Sequence, residues 1–383
     1  MRVLAGTAEE RTEILKNGVP GEILVTSYET MRRDQELYKG EDFFCEVIDE
    51  AQYIKNAGTK GARAVKSVSA QMKLALTGTP VENRLSELWS IFDYLMPGFL
   101  YSYEHFKKNF EMPIMKKENE DAMADLQKMI RPFILRRLKK EVLSDLPDKI
   151  EKCVMIPLEG EQKKLYDAHV QRLKFMLENE EFANIRMQVL AELTRLRQLC
   201  CDPALIYQDY QEGAAKMELC MELLNNAVNG GHKVLLFSQF TSMLGILEKR
   251  MEEAGIGYYS LTGSTPKKER MELMEKFNRD ATPVFCISLK AGGTGLNLTG
   301  ADVVIHYDPW WNVAAENQAT DRAHRIGQKR VVTVYKLVAE HTIEEKVVEL
   351  QQKKKELADQ VLSGEEMGSI LFDREELLKL FQN

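Results

Sequence analysis

The sequence predicts an α/β protein with two parallel-sheet domains, helical insertions between them and a helical brace at the C-terminus. Three observations predict it. Short apolar runs alternate with helix-length segments over residues 1–98 and again over residues 215–340, the pattern of strand–helix–strand units in a parallel sheet. Between them, residues 99–214 read as mainly helical. Finally, the run Phe43-Phe-Cys-Glu-Val-Ile-Asp-Glu-Ala-Gln52 reads as a buried strand ending in two adjacent carboxylates, at the sheet end where open α/β sheets bind ligands.

In the first domain, strand cues lie at residues 22–26, 44–48 and 73–76. The helical region holds long segments at 159–178 and 182–201, preceded by a short extended piece at 152–157. Alternation then resumes with a helix from 215 through 228, a strand at 233–237, a helix at 242–254 and a strand at 257–261. A helix at 267–278 follows, then strands at 284–288, 303–307 and 331–337. Helices from 342 through 362 and at 373–380 make the brace, residues 341–383. No period of repeat length and no low-complexity run occurs, which excludes repeat folds.

Composition narrows the class further. At 44% hydrophobic and 29% charged over 383 residues, the chain has apolar surface enough for two or three domains. No stretch approaches the roughly 18 consecutive apolar residues of a membrane span, and the start holds no signal-peptide core, so a cytoplasmic protein is expected. Six scattered cysteines without a C-x-x-C pair point to a reducing compartment and away from zinc. The vicinal Cys200-Cys201 pair is expected to pack in a core.

Asp49 is suited to hold a magnesium ion through its water shell, and Glu50 to orient and deprotonate a water, as nucleotide hydrolysis requires. An Asp-Glu pair is also an ordinary loop or helix-cap signal. The strand at 73–76 runs into Thr77-Gly-Thr-Pro-Val-Glu-Asn83, a polar loop at the same sheet edge. Far downstream, Gln318, Arg322 and Arg325 stand at i, i+4 and i+7, which on a helix puts them on one face. Two guanidiniums beside an amide suit clamping a transferring phosphoryl group, and equally a solvated basic face. The glycine loop Gly292-Gly-Thr-Gly295 follows a strand, but Leu298 stands where a dinucleotide fingerprint needs Gly or Ala. A simple turn remains open for that loop.

Together these segments resemble the Swi/Snf family of ATP-driven double-stranded DNA translocases, helicase-like enzymes built on two RecA-like domains. The resemblance spans nearly the whole chain. Its markers in order are Ile23-Leu-Val-Thr-Ser-Tyr-Glu-Thr30, Asp49-Glu-Ala-Gln52, Leu76-Thr-Gly-Thr-Pro-Val-Glu-Asn83 and Leu135-Arg-Arg-Leu-Lys139 in the first part. Lys233-Val-Leu-Leu-Phe-Ser-Gln-Phe240, Ala291-Gly-Gly-Thr-Gly-Leu-Asn-Leu298 and Arg322-Ala-His-Arg-Ile-Gly-Gln328 follow. Two positions depart from the family pattern: Gln52 stands where His is usual, and Val313 where Pro is usual after Trp310-Trp311-Asn312. Gln keeps both a donor and an acceptor.

The resemblance implies ATP and Mg as cofactors, with Asp49, Glu50, Gln318, Arg322 and Arg325 catalytic, Asp49 on the metal, and Gln52, Thr77, Gly78, Thr79 and Gly295 at the nucleotide. It implies duplex DNA contacts by Thr26, Ser27, Tyr28, Arg136, Arg137, Lys139, Gln239, Gly292, Gly293 and Thr294. ATP would lie between the domains, whose closure and opening shift one of them along the DNA backbone. A monomer is expected, nucleoid-associated in a bacterium or nuclear in a eukaryote. No Gly-x-x-x-x-Gly-Lys-Ser/Thr occurs in the 383 residues, although the family's phosphate-cradling loop precedes every marker above. Residues 1–98 are therefore expected to be an incomplete first RecA-like domain, and the chain a C-terminal fragment nearly inert toward ATP alone.

Net charge is −7, against the usual balance of a DNA binder, but phosphate contacts depend on local charge. Residues 131–140 carry five basic side chains and no acid, and residues 322–336 carry five more with none. Such runs are consistent with phosphate contacts or with solvated faces. A second reading, a non-hydrolysing DNA- or protein-interaction module descended from such an enzyme, stays open beside the ATPase.

Overall fold

The computed structural model describes residues 1–78, 85–117, 119–137, 139–143, 145–179, 182–292 and 296–352. Thr79, Gly293, Thr294, Gly295 and the brace expected beyond residue 352 lie outside them. The chain forms two compact units that divide between Phe133 and Ile134.

In the first unit the strand cues form two parallel pairs rather than one sheet. β1 (Arg2–Val3) pairs with β2 (Leu24–Val25), and β3 (Asp42–Ile48) pairs with β4 (Ser69–Ala75). Alternation along β3 sends Ile48 into a core with Ala51, Ile54, Ala62, Val65, Ile91 and Tyr94. Its neighbour Val47 points the other way and is exposed, as is Leu74, its partner on β4. Phe43, on the Val47 face, packs instead against a smaller core of Leu4, Leu15, Tyr38 and Val68, while the Ile48 core adjoins the Asp49-Glu50 end of β3 through Ala51 and Ile54.

The second unit is built on a six-stranded sheet in the order β5 (Lys149–Pro157), β10 (Val332–Glu340), β9 (Val303–His306), β6 (Val234–Ser238), β8 (Val284–Ser288) and β7 (Tyr258–Leu261). Every pairing is parallel. Both faces are covered, so β6, β8 and β9 are buried along their whole length instead of alternating, and only their last residues, Ser238, Ser288 and His306, are polar. Val234, Leu236, Cys286 and Ile305 pack in one core with Cys220 and Leu224 of helix Ala215–Asn229 and Leu244 and Leu247 of helix Thr241–Glu253. Leu235, Phe237, Phe285 and Val304 pack on the opposite face with Phe277 of helix Lys267–Arg279 and Ala319 of helix Val313–Thr320. Helices Gly160–Asn179 and Phe182–Cys201 share a third core through Leu173, Leu177, Val189 and Leu196. The helix that begins at residue 343 is tied to this unit by the buried Lys216–Glu344 ion pair and by the Ile343 N–H, which donates to the Tyr166 hydroxyl at 2.7 Å.

The extended piece expected at 152–157 is longer and has a different setting: Lys149–Pro157 is an edge strand of the main sheet, in register with β10 over its whole length. Its charged start hid it. Lys149, Glu151 and Lys336 form ion pairs along that edge, at 2.6 Å for Lys149–Glu151 and 3.6 Å for Lys336–Glu151. Cys200, Cys201, Cys220 and Cys286 are buried free thiols, in keeping with the packing role expected for the vicinal pair. Among the described residues no helix is long and apolar enough to cross a membrane.

One buried group makes this unit acid-sensitive. His306, at the end of β9, stacks on Phe237 with ring centroids 5.4 Å apart and shares a 2.8 Å hydrogen bond between Nε2 and the Thr320 hydroxyl. Burial pushes its imidazole down to about 4 from an ordinary 6.5. The unfolded chain therefore binds the proton that the folded chain refuses. The stability from a neutral His306 is fully present above pH 6.5 and is lost as pH falls toward 4, by ~3 kcal/mol at most. Chemical denaturation at stepped pH should show that decline, and a His306→Phe variant should flatten it. An unchanged slope in the variant would assign acid lability to other groups.

Candidate functional site

At the end of β3, the chain turns sharply. Glu50 takes the left-handed conformation (φ 52°, ψ 54°), rare for a residue with a side chain and worth roughly 1–3 kcal/mol of strain. The turn is held by the Ala51 N–H donating to the Leu76 carbonyl at 2.9 Å and by the Glu50 N–H donating to Asp49 Oδ1 at 2.9 Å. Gln52 Nε2 donates to Glu50 Oε2 at 2.6 Å, while Gln52 Oε1 accepts from the Thr77 hydroxyl at 2.8 Å. Both ends of the amide are used, so Gln at this position links the carboxylate to the loop after β4. Gly78 continues that loop.

Tyr28 also comes to this turn. Its hydroxyl donates to the Asp49 carbonyl at 2.7 Å, and its ring stacks on Tyr53 at 5.2 Å. Burial, reinforced by the Asp49 and Glu50 charges, raises its phenol above the ordinary range, so it stays a donor. The neighbouring Ser27 is occupied as the N-cap of helix Tyr28–Arg33, accepting from the Thr30 N–H at 3.1 Å, and Thr26 follows β2 directly. Asp49 itself is exposed.

In the second unit the parallel strands deliver the loops after β6, β7, β8 and β9 to one edge. After β6, the Ser238 hydroxyl donates to buried Asp308 Oδ1 at 2.5 Å and the Gln239 N–H donates to the same oxygen at 3.3 Å. Burial raises the Asp308 carboxyl, opposed by the Arg197 charge and the Ser238 hydrogen bond. After β7, Arg270 holds the loop through three carbonyls, Thr265 at 2.8 Å, Gly263 at 3.0 Å and Thr262 at 3.3 Å. After β8 the chain runs through the short helix Leu289–Gly292.

The arginines are not on one helical face. Helix Val313–Thr320, capped by the Asn312 side chain, carries Gln318 but ends before either arginine. The Arg322 and Ala323 N–H groups donate three residues back, to Ala319 and Thr320, both at 3.1 Å, so the chain tightens into turns. Gly327 then takes φ 104°, and Gln328 pins the turn by donating to the carbonyls of Ala301 (2.7 Å) and Ala323 (3.1 Å) and accepting from the Lys329 and Arg330 N–H groups. Arg322 is 8% accessible; Arg325 is exposed and donates to the Leu296 carbonyl at 3.2 Å. Gln328 closes the Arg322–Gln328 motif but takes no role from the sequence, and Asp308 and the loop at residues 262–265 are not among the candidate site residues. A polar residue directly after an apolar strand, and an amide directly after Gly327, are the signals that could have found the first two.

Of the basic run, Arg136, Arg137 and Lys139 are all exposed, and Lys139 pairs with Asp321 at 2.7 Å, beside the arginine turn. Among the described residues no cluster of three or more His, Cys, Asp or Glu side chains could cage a metal ion.

Residues 2–205 match the SNF2-related domain, more than half of the chain, and residues 215–327 match the helicase conserved C-terminal domain. An uncharacterized ATP-dependent helicase of Mycoplasma pneumoniae is 40% identical over 380 residues, covering 98% of this chain and 36% of that protein. The Bacillus subtilis protein YwqA, named as a candidate ATP-dependent helicase/translocase, is 41% identical over 368 residues, covering 94% of this chain and 40% of its own length. The chain thus spans about two fifths or less of these relatives. The SWI2/SNF2 ATPase core domain of Sulfolobus solfataricus superposes with a TM-score of 0.51 at 35% identity, over 99% of this chain and 83% of that one. With a SNF2-related domain match over more than half of the chain, a helicase C-terminal domain match after it and a superposition on a SWI2/SNF2 ATPase core at 35% identity, the chain belongs to the SNF2-related family of helicase-like ATP hydrolases.

Proposed function

We propose that this chain supplies the catalytic carboxylates and arginines of an ATP-dependent double-stranded DNA translocase. The observation that carries the reading is the Thr77–Gln52–Glu50 chain of hydrogen bonds, which fixes one carboxylate oxygen on a strained turn at a strand end. A carboxylate so oriented can hold an attacking water in line and take its proton. Asp49, exposed beside it, offers the hard oxygen donor that magnesium takes, and one carboxylate suffices where waters and phosphates complete the shell. The chemistry the ion supplies when bound is neutralisation of the phosphate oxygens. Arg322 and Arg325 would stabilise the charge that develops on the transferring group.

Exposed Arg136 and Arg137 and the Gln239 turn are the groups that would meet DNA, through phosphates rather than bases. Because the relatives are much longer, the test belongs in the full-length protein: ATP turnover with duplex, with single strands and without DNA, and displacement of a third strand from a DNA triplex to read movement. Stimulation by duplex with displacement is expected. Duplex binding without ATP turnover would favour the non-hydrolysing interaction module.

A second measurement concerns the basic run. Each phosphate neutralised changes the slope of log K against log salt by about 0.9, so reversing Arg136 and Arg137 to Glu should flatten that slope by about 2. An unchanged slope in the double variant would assign both arginines to a solvated face.

A further inference from the structure

Arg197, near the C-terminal end of helix Phe182–Cys201, is 5% accessible. Its guanidinium lies 5.5 Å from the ring centroid of Trp311 and 5.8 Å from those of Trp310 and Phe240. Its Nη2 donates to the Pro309 carbonyl at 2.6 Å, while its Nε has no hydrogen-bond partner. This buried cation is held by three aromatic rings and a backbone carbonyl and lies near enough to act on the buried Asp308 carboxylate; it is costly unless the planar group fills those contacts.

The parts it touches belong to different functional segments. Phe240 follows Gln239, whose N–H is bound by Asp308. Pro309, Trp310 and Trp311 lead into the helix that carries Gln318 and delivers Arg322. The Trp310 N–H donates to Glu316 Oε2 at 3.2 Å, and Gln351 Nε2 donates to the Trp310 carbonyl and to Glu316 Oε2, the latter at 3.1 Å. Arg197 thus stands where the turn after β6, the segment after β9 and the helix beginning at residue 343 converge.

We infer that Arg197 is a positioning residue: its guanidinium sets the 308–312 segment against the Gln239 turn and, through that segment, places Gln318 and the Arg322–Arg325 turn for ATP hydrolysis. Its effect on turnover rests on the ATPase reading above; its effect on the segment does not. A lysine keeps the charge but cannot lie flat against the rings, and a methionine keeps apolar volume without charge.

The test maps hydrogen exchange of the full-length protein bearing Arg197→Met or Arg197→Lys, beside ATP turnover. Exchange over residues 308–325 should rise roughly tenfold or more in both variants, while β6 and β8 stay as protected as in the unmutated protein. Duplex-stimulated kcat should fall roughly tenfold or more, with KM for ATP within about threefold. R197K keeps the test available should R197M not fold. Unaltered exchange over 308–325, or a rise spread evenly through the sheet, overturns the proposal; so does full rescue by lysine. The exchange map needs neither nucleotide nor DNA, so it decides the positioning role even where ATP turnover contradicts the ATPase reading.

Discussion

Glu50→Gln is expected to lower duplex-stimulated ATP hydrolysis by about 10²-fold or more while leaving ATP and DNA binding nearly intact. The argument is geometric. Gln52 Nε2 already donates to one Glu50 oxygen, and an amide at position 50 can accept that bond with little change of shape. What it cannot do is take a proton. Binding depends on shape and charge elsewhere, whereas hydrolysis depends on that proton, so the two should separate cleanly. Glu50→Gly gives a second arm, because the left-handed backbone suits glycine: the protein should be slightly stabilised by relief of strain and just as inactive. Single-turnover hydrolysis beside nucleotide binding by fluorescence anisotropy would show both. Hydrolysis by Glu50→Gln at the unmutated rate would place water activation on another group.

How much of this was legible beforehand differs between the parts of the site. The central strands β6, β8 and β9 are nearly continuous apolar runs, because parallel strands are covered on both faces, and such runs stand out from any surface element. The carboxylate pair at the end of β3 followed from the same logic, since the sheet end is a position and not a conformation. What sequence could not show was the left-handed turn at Glu50, which neither Glu nor its neighbours favour and which the Ala51–Leu76 and Gln52–Thr77 bonds impose from the adjoining strand. β5 escaped for another reason: its pairing partner β10 lies far along the chain, most of its own side chains are exposed, and its start is charged.

The arginine segment is the instructive miss. Spacing of i, i+4 and i+7 fits a helix, but a period cannot report whether the backbone bonds continue. Here they do not, because Gln328 offers carbonyls and N–H groups a side-chain amide instead, and Gly327 permits the reversal. The turn still delivers two guanidiniums, now with distinct surroundings: Arg322 buried, Arg325 exposed and lightly tethered to the Leu296 carbonyl.

That difference shapes the second large effect. Replacing either Arg322 or Arg325 with Ala in the full-length protein should reduce duplex-stimulated turnover by roughly 10³-fold, the scale seen when a guanidinium that meets transition-state charge in phosphoryl transfer is removed. ATP affinity should change little, since contacts made only in the transition state do not enter ground-state binding. Lysine should not rescue either position, because a point charge cannot present the planar fork. The two variants part company in stability. Arg322→Ala removes a buried side chain and should lower the melting temperature; Arg325→Ala removes an exposed one with a single 3.2 Å backbone contact and should melt within error of the unmutated protein. Loss of turnover in Arg325→Ala at an unchanged melting temperature therefore isolates chemistry from folding. Turnover near the unmutated rate in that variant, on saturating duplex, would remove Arg325 from the mechanism and leave Arg322 to carry the transition-state charge alone.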